Sequence, residues 1–317
     1  MNNKFWPENK KFAFTIIDDT DNSTMENAPL IYDFLKYNGI LTTKTVWTRN
    51  GDSSSAYNGV NGDTLENDAY LKWVRGLKNS GFEICLHSST WSCSDRSQII
   101  YSFKIFEDFF NRSSILIQHN DHKECESIYW GGKRLIFPLN LIFELMAFVN
   151  PRGVKSSIYQ GENKKSKFFW GDIARKKVDY IRNLTFDEIN LFNVTKYVAH
   201  KRRNTKYVKK WFISSEAPAC DSFINLLKKE NIDKLEKENG VCIIYTHFGN
   251  NFVSEGELNP DFKETIEYLS SKDGWFVPAS DILLHLENKI STDKFSYLNE
   301  LLLGLKWLSW KIFKGTS

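Results

Sequence analysis

Apolar residues in this chain come in short unbroken runs rather than in strict alternation, and four runs stop at an acidic or imidazole side chain. The run 12–17 ends at Asp18 and Asp19, 82–86 at His87, and 115–117 at Gln118 and His119, while 241–245 passes through Thr246 to His247. Unbroken runs of this length predict strands covered on both faces, the usual state of strands in a parallel sheet. Between them the apolar residues shift to helical spacing. Helices are predicted over about 26–38, closed by Asn38-Gly39, over 65–80, closed by Ser80-Gly81, and over 97–111. A further strand falls at 40–47, followed by a Gly/Asn/Ser-rich loop from Arg49 to Asp63.

The alternation blurs between 120 and 210. Residues 138–149 read as a helix with Pro138 near its start, and segments near 168–170, 178–182 and 208–213 as strands. It returns with a helix over 220–238, the strand to His247, a helix over 261–271, a short strand at 275–277 and a helix starting at Ser280. Repeated strand–helix units predict an α/β fold with right-handed crossovers. If that sheet closes into a barrel, the strand C-termini meet on one face, where such folds carry their chemistry. The tail 295–314 is different in kind. Leu298, Leu301, Leu302, Leu305, Leu308 and Ile312 form a helical stripe flanked by Trp307, Trp310 and Phe313, with Lys306, Lys311 and Lys314 near its end. About 18 residues reach roughly 27 Å, but interspersed charges exclude a simple membrane span. A helix docked on the barrel or on a second copy, or one lying in a membrane interface, fits the pattern.

Composition changes this picture little. At 317 residues, 41% hydrophobic and 26% charged, the chain has the balance of a soluble globular protein with room for one large domain. A net charge of +3 does not favour nucleic acid as a partner. The five cysteines (Cys85, Cys93, Cys125, Cys220, Cys242) are scattered, and two of them lie in predicted strands, which points to reduced thiols and a reducing compartment. The first residues contain no apolar stretch, so the expected location is cytoplasmic, with contact at the inner membrane face a further option through the tail. An aromatic share of 15% suits core packing and sugar stacking alike.

The residues at the run ends carry a resemblance. Phe14-Thr-Ile-Ile-Asp-Asp19 resembles the first motif of the polysaccharide deacetylases (carbohydrate esterase family four), Leu86-His-Ser-Ser-Thr-Trp91 their second, and Ile243-Ile-Tyr-Thr-His247 their fifth. The order holds over about residues 12–285. The resemblance implies a distorted (β/α) barrel of seven or eight mostly parallel strands, placed over residues 1–290 with an insertion around 120–210; the amphipathic helix read from the tail pattern takes 291–317. The resemblance further implies Asp18 as general base, Asp19 and His87 as ligands of a divalent metal, zinc above all, and His247 as general acid. The second motif's closing His is Trp91 here, and Thr20 and Asp21 follow the Asp pair. Gln118-His-Asn-Asp-His122 stands after the fourth strand, so His119 or His122 is expected to complete the metal set. Trp170, Asp172, Arg182 and Asn183, within aromatic segments of the insertion, are expected to bind substrate. The basic stretch 201–210 reads as a solvated loop or as a grip for a pyrophosphate. The expected activity is removal of an acetyl group from a sugar intermediate, nucleotide- or lipid-linked, of surface-polysaccharide assembly. A deacetylase-like barrel that binds sugar without catalysis is the alternative.

Overall fold

The computed structural model describes residues 5–52, 59–119, 124–149 and 155–314. His122, one of the two expected sources of a further imidazole, lies outside them. Eleven strands are present among the described residues: β1 (Phe12–Asp18), β2 (Thr43–Val46), β3 (Glu83–His87), β4 (Ile115–Ile117), β5 (Tyr180–Phe186), β6 (Ala199–His200), β7 (Lys210–Glu216), β8 (Val241–Thr246), β9 (Val253–Ser254), β10 (Glu257–Leu258) and β11 (Gly274–Phe276). The helices are α1 (Ala28–Tyr37), α2 (Asp68–Asn79), α3 (Arg96–Phe110), α4 (Leu139–Val149), α5 (Gly171–Lys177), α6 (Leu191–Val194), α7 (Cys220–Leu226), α8 (Lys229–Lys237), α9 (Pro260–Ser270), α10 (Ala279–Lys289) and α11 (Tyr297–Lys314).

Seven parallel strands close on themselves in the order β1-β2-β3-β4-β5-β7-β8 and back to β1. The short β11 pairs with Phe12–Phe14 of β1, while β2 pairs only with Ile17 and Asp18, so the two share one edge of β1 at different heights. That sharing distorts the ring and makes the strand count seven or eight, as the resemblance implied. The antiparallel β6 adds to β7 outside the ring.

Strand pleating sends alternate side chains to opposite faces. Phe12, Phe14 and Ile16 of β1 belong to the core shared with α1, α2 and α9, whereas Ala13 and Ile17 belong to the second core, shared with α10. Continuous apolar runs are the consequence of that double cover. Helix ends follow local chemistry. Asn67 caps α2 by accepting from Ala69 N and Tyr70 N, and Asp95 with Gln98 forms a capping box on α3.

Three sequence expectations shift. Residues 168–170 form no strand; they are the irregular lead into α5. The helix expected over 220–238 is two, α7 and α8, divided at Leu227 and Lys228. The basic stretch 201–210 is largely neutralised, because Lys201 pairs with Asp293 (2.6 Å), Arg202 with Glu300 (2.9 Å), Lys209 with Asp179 (3.0 Å) and Lys210 with Glu287 (2.5 Å). Four of the six cations in this stretch are thus committed to the protein's own carboxylates.

The tail docks, but by only part of the leucine stripe: Leu308 is buried and Leu301 packs on the second core. Leu303, Trp307 and Leu308 of α11 are buried, Trp307 stacks on Phe143 of α4 at 6.0 Å, and Gly304 leaves space filled by Leu139. Leu298, Leu302, Leu305 and Ile312 remain exposed, as do Leu141, Ile142, Leu145 and Phe148 of α4. No helix among the described residues is long and apolar enough to cross a membrane.

His200 is buried on β6 against Phe295, with Nδ1 3.1 Å from the Tyr197 carbonyl oxygen. Burial, with the nearby Arg202 charge, pushes its pKa down to about 3. Since the folded value lies below the unfolded one, the folded chain binds fewer protons, and stability is lost as pH falls through about 6.5. Between pH 7 and pH 5 the loss from this residue is expected to be about 2 kcal/mol, and His200→Phe should flatten that part of a urea-melt pH profile.

Candidate metal and catalytic site

The C-terminal ends of β1, β3, β4 and β8, with Arg182 from within β5, bring five of the predicted residues (Asp19, His87, His119, Arg182 and His247) to one mouth of the barrel. Asp21, three residues past the end of β1, is the carboxylate at its centre. His87 Nε2 lies 3.3 Å from Asp21 Oδ1, His119 Nδ1 lies 3.6 Å from the same oxygen, and His247 Nε2 lies 3.8 Å from Oδ2. Asp21, His87 and His119 each offer a ligand atom, all within 4.8 Å of one another.

Each imidazole is held by its surroundings. His87 Nδ1 faces Thr45 Oγ1 at 3.4 Å, which leaves Nε2 toward Asp21. Trp47, fully buried at the end of β2, meets His87 edge-on at 5.8 Å and His119 at 5.7 Å, and packs on Trp91 at 5.3 Å. His247 Nδ1 lies 2.8 Å from the Pro218 carbonyl oxygen; bonded there, Nδ1 carries the proton and Nε2 faces the mouth. Burial lowers the pKa of His87, against the pull of Asp21, and so favours the neutral imidazole. Burial would raise that of Asp21, but its bonds to His119 and His87 outweigh it and hold the carboxyl well below the usual range. One carboxylate with two imidazoles is a donor set that suits zinc or another first-row divalent ion.

Asp19 is elsewhere engaged. Arg182 on β5 grips it in bidentate fashion, Nη1 to Oδ1 at 2.9 Å and Nη2 to Oδ2 at 2.5 Å, while its guanidinium stacks over the Tyr245 ring at 4.2 Å. The expected ligand Asp19 is therefore not the carboxylate that joins His87 and His119; Asp21 is. The expected base Asp18 does not face the mouth at all. It follows the phase of Phe14 and Ile16 toward the helices, where Oδ2 accepts from Lys44 Nζ (2.7 Å) and Tyr32 Oη (3.0 Å), and Oδ1 from Phe248 N (3.0 Å). Two consecutive strand residues cannot both point into one barrel.

Of the expected substrate residues, Arg182 alone is seen in the ion pairs of this mouth. Trp170 is buried against Phe103 and donates from Nε1 to the Glu126 carbonyl. Asp172 pairs with Arg96 at 2.6 and 2.8 Å on α3. Asn183 lies where the β5–β7 register shifts, and its amide is buried without a bonded partner among the described residues. Trp91, where the resemblance would place an imidazole, is a buried wall against Trp47. His119 from the next strand stands instead beside His87, ring centroids 5.6 Å apart.

No family model and no curated protein matches the chain. Among solved structures it is similar to a "putative polysaccharide deacetylase from Mycobacterium smegmatis", with 10% identity and a TM-score of 0.46, over 90% of this chain and 93% of that one.

Sequence reasoning missed Asp21 as the central carboxylate, Trp47 as the wall behind two imidazoles, and Lys44. A signal for Lys44 was present: a lone Lys in the strand Thr43-Lys44-Thr45-Val46 needs a buried anion. His119→Ala is expected to remove the divalent metal held by the Asp21–His87–His119 cluster. Retention of full metal content in that variant would exclude His119 as a ligand.

Proposed function

We propose that the protein is a metal-dependent hydrolase that removes an acetyl group from an acetylated sugar. One observation carries the reading: the Asp21–His87–His119 cluster stands at the same mouth as a carboxylate aligned by an arginine, Asp19–Arg182, and an imidazole with an outward Nε2, His247. Asp21, His87 and His119 would hold the ion, which when bound supplies charge to polarise an acetyl carbonyl and acidify a water.

The chain's own residues supply the proton traffic. Asp19 takes the proton of the attacking water; Arg182 fixes both of its oxygens, so the carboxylate cannot rotate away. Proton transfer to the leaving nitrogen or oxygen falls to Nε2 of His247 in its doubly protonated form, with Nδ1–H held at Pro218; the proton that Asp19 takes from water returns to the imidazole through solvent. The Trp47 and Trp91 rings and the buried strand ends keep bulk water from the histidines, which strengthens these interactions.

The apolar side chains exposed on α4 and α11 support a substrate presented at a lipid surface, as a lipid-linked sugar would be. The binding-only alternative drew on the imidazole missing at Trp91, and His119 beside His87 weakens that ground.

The assay is acetate release from N- and O-acetylated sugars, free, nucleotide-linked and lipid-linked, by protein loaded with zinc or cobalt. Turnover that is lost with a chelator and restored by metal is the expected result. No turnover with any of these by metal-loaded, folded protein would overturn the proposal.

A further inference from the structure

Beside the Asp21 cluster, a second set of metal-competent side chains stands on two loops that leave the barrel mouth. Cys93 lies between β3 and α3, and Cys125 and Glu126 lie beyond β4; each offers a donor atom, all within 4.8 Å of one another. We propose that Cys93, Cys125 and Glu126 bind a second divalent cation of the zinc class, which clips these two loops together.

Donor chemistry favours that ion. Two thiolates with one carboxylate suit zinc, with metal–sulfur bonds near 2.3 Å and metal–oxygen bonds near 2.1 Å, so donors around one ion sit about 3.5 Å apart. With the donor atoms within 4.8 Å of one another, closing to that spacing calls for an approach of no more than about 1.3 Å. The scaffold for such a site is already built. Cys125 N donates to the Ile158 carbonyl (3.0 Å), Gln160 N to the Cys125 carbonyl (2.9 Å), and Ser94 N to Glu126 Oε2 (3.0 Å). Cys125 and Glu126 are buried while Cys93 is half-buried, which leaves one side open for the ion to enter and for a fourth ligand. No disulfide joins the cysteines.

Charge makes the same point. Glu126 is buried at 4% exposure, and no Lys or Arg pairs with it among the described residues. A divalent ion bound there would displace the protons of all three groups and satisfy them at once. Position gives the clip its use. Cys93 follows His87 by six residues and Cys125 follows His119 by six, so the ion would tie down the loops leading away from two donors of the first cluster.

The test uses the full chain, reduced, stripped of metal, reloaded with zinc and freed of loosely held ion. Wild type is expected to retain two zinc ions per chain. The Cys93→Ser/Cys125→Ser and His87→Ala/His119→Ala double variants should each retain one. With cobalt(II), thiolate-to-metal charge-transfer absorption should appear in wild type and in the histidine variant and vanish in the cysteine variant. Should the cysteine variant fail to fold, Glu126→Gln keeps the side-chain shape. It should weaken zinc at this site by more than about 100-fold, since loss of a group one shell further out already costs about 10–100-fold. Wild type without the charge-transfer band, or a folded cysteine variant with undiminished zinc, overturns the proposal. These readouts follow metal at the cysteines and stand apart from any acetyl-releasing activity.

Discussion

Asp19→Asn is expected to lower kcat for acetyl release by about 100- to 10,000-fold, the range for loss of a general base. Bound metal should be unchanged. The substitution keeps the shape but removes the charge that Arg182 holds at 2.9 and 2.5 Å and the capacity to take a proton. KM should move far less than kcat, because the group acts on water rather than on the sugar. Steady-state kinetics with metal analysis of the same preparation decide the matter. If metal content falls in parallel with rate, Asp19 is a ligand, as the sequence motif alone suggested, and the division of labour between Asp19 and Asp21 is wrong. Arg182→Lys should give a smaller loss of kcat, since Lys supplies charge without the two-pronged geometry.

The second large effect concerns the neighbouring carboxylate. Asp18→Asn is expected to destabilise the fold by about 3–5 kcal/mol, the cost of leaving a buried charge without its partner. Lys44 is fully buried and lies 2.7 Å from Asp18 Oδ2, with Ser23 Oγ 3.0 Å away. Burial alone would depress the lysine's pKa, but the Asp18 charge reverses this and leaves it raised, so the ammonium depends on that carboxylate. Replacing both residues by apolar ones of similar volume should recover much of the loss. Urea unfolding of the single and double variants measures this. A single variant as stable as wild type but without activity would instead place Asp18 in the chemistry.

These two expectations show where the sequence could be read and where it could not. The barrel was legible because burial on both faces leaves a direct mark: β1, β3, β4 and β8 are mostly apolar runs, with Thr15 and Glu83 the polar residues ahead of their final positions. Strand ends were legible as well, since His87, His119 and His247 each close such a run. What an unbroken run conceals is phase. With both faces apolar, nothing along residues 12–17 says which residues point inward, and the assignment of Asp18 and Asp19 turned on that single unknown. The β1 register against β8, Ile17 opposite Tyr245 and Asp18 opposite Thr246, resolves it only in three dimensions. Asp21 was passed over because it lies beyond the strand, where periodicity gives no direction. Trp170 and Asp172 misled for the opposite reason: aromatic and acidic residues near each other look like a sugar site, yet one seals the core and the other holds a helix on the surface.

The backbone bond from Asp19 N to the Thr246 carbonyl, 2.8 Å long, continues the β1–β8 ladder one step past the strand ends. It ties the residue carrying the aligned carboxylate to the one just before His247. Their separation is thus set by main-chain pairing rather than by any side chain that a mutation could remove. Surface loops around the mouth can lengthen, shorten or change sequence to suit different substrates while these two groups keep their spacing. Evolution of specificity in such a molecule is free to proceed at the rim without retuning the centre.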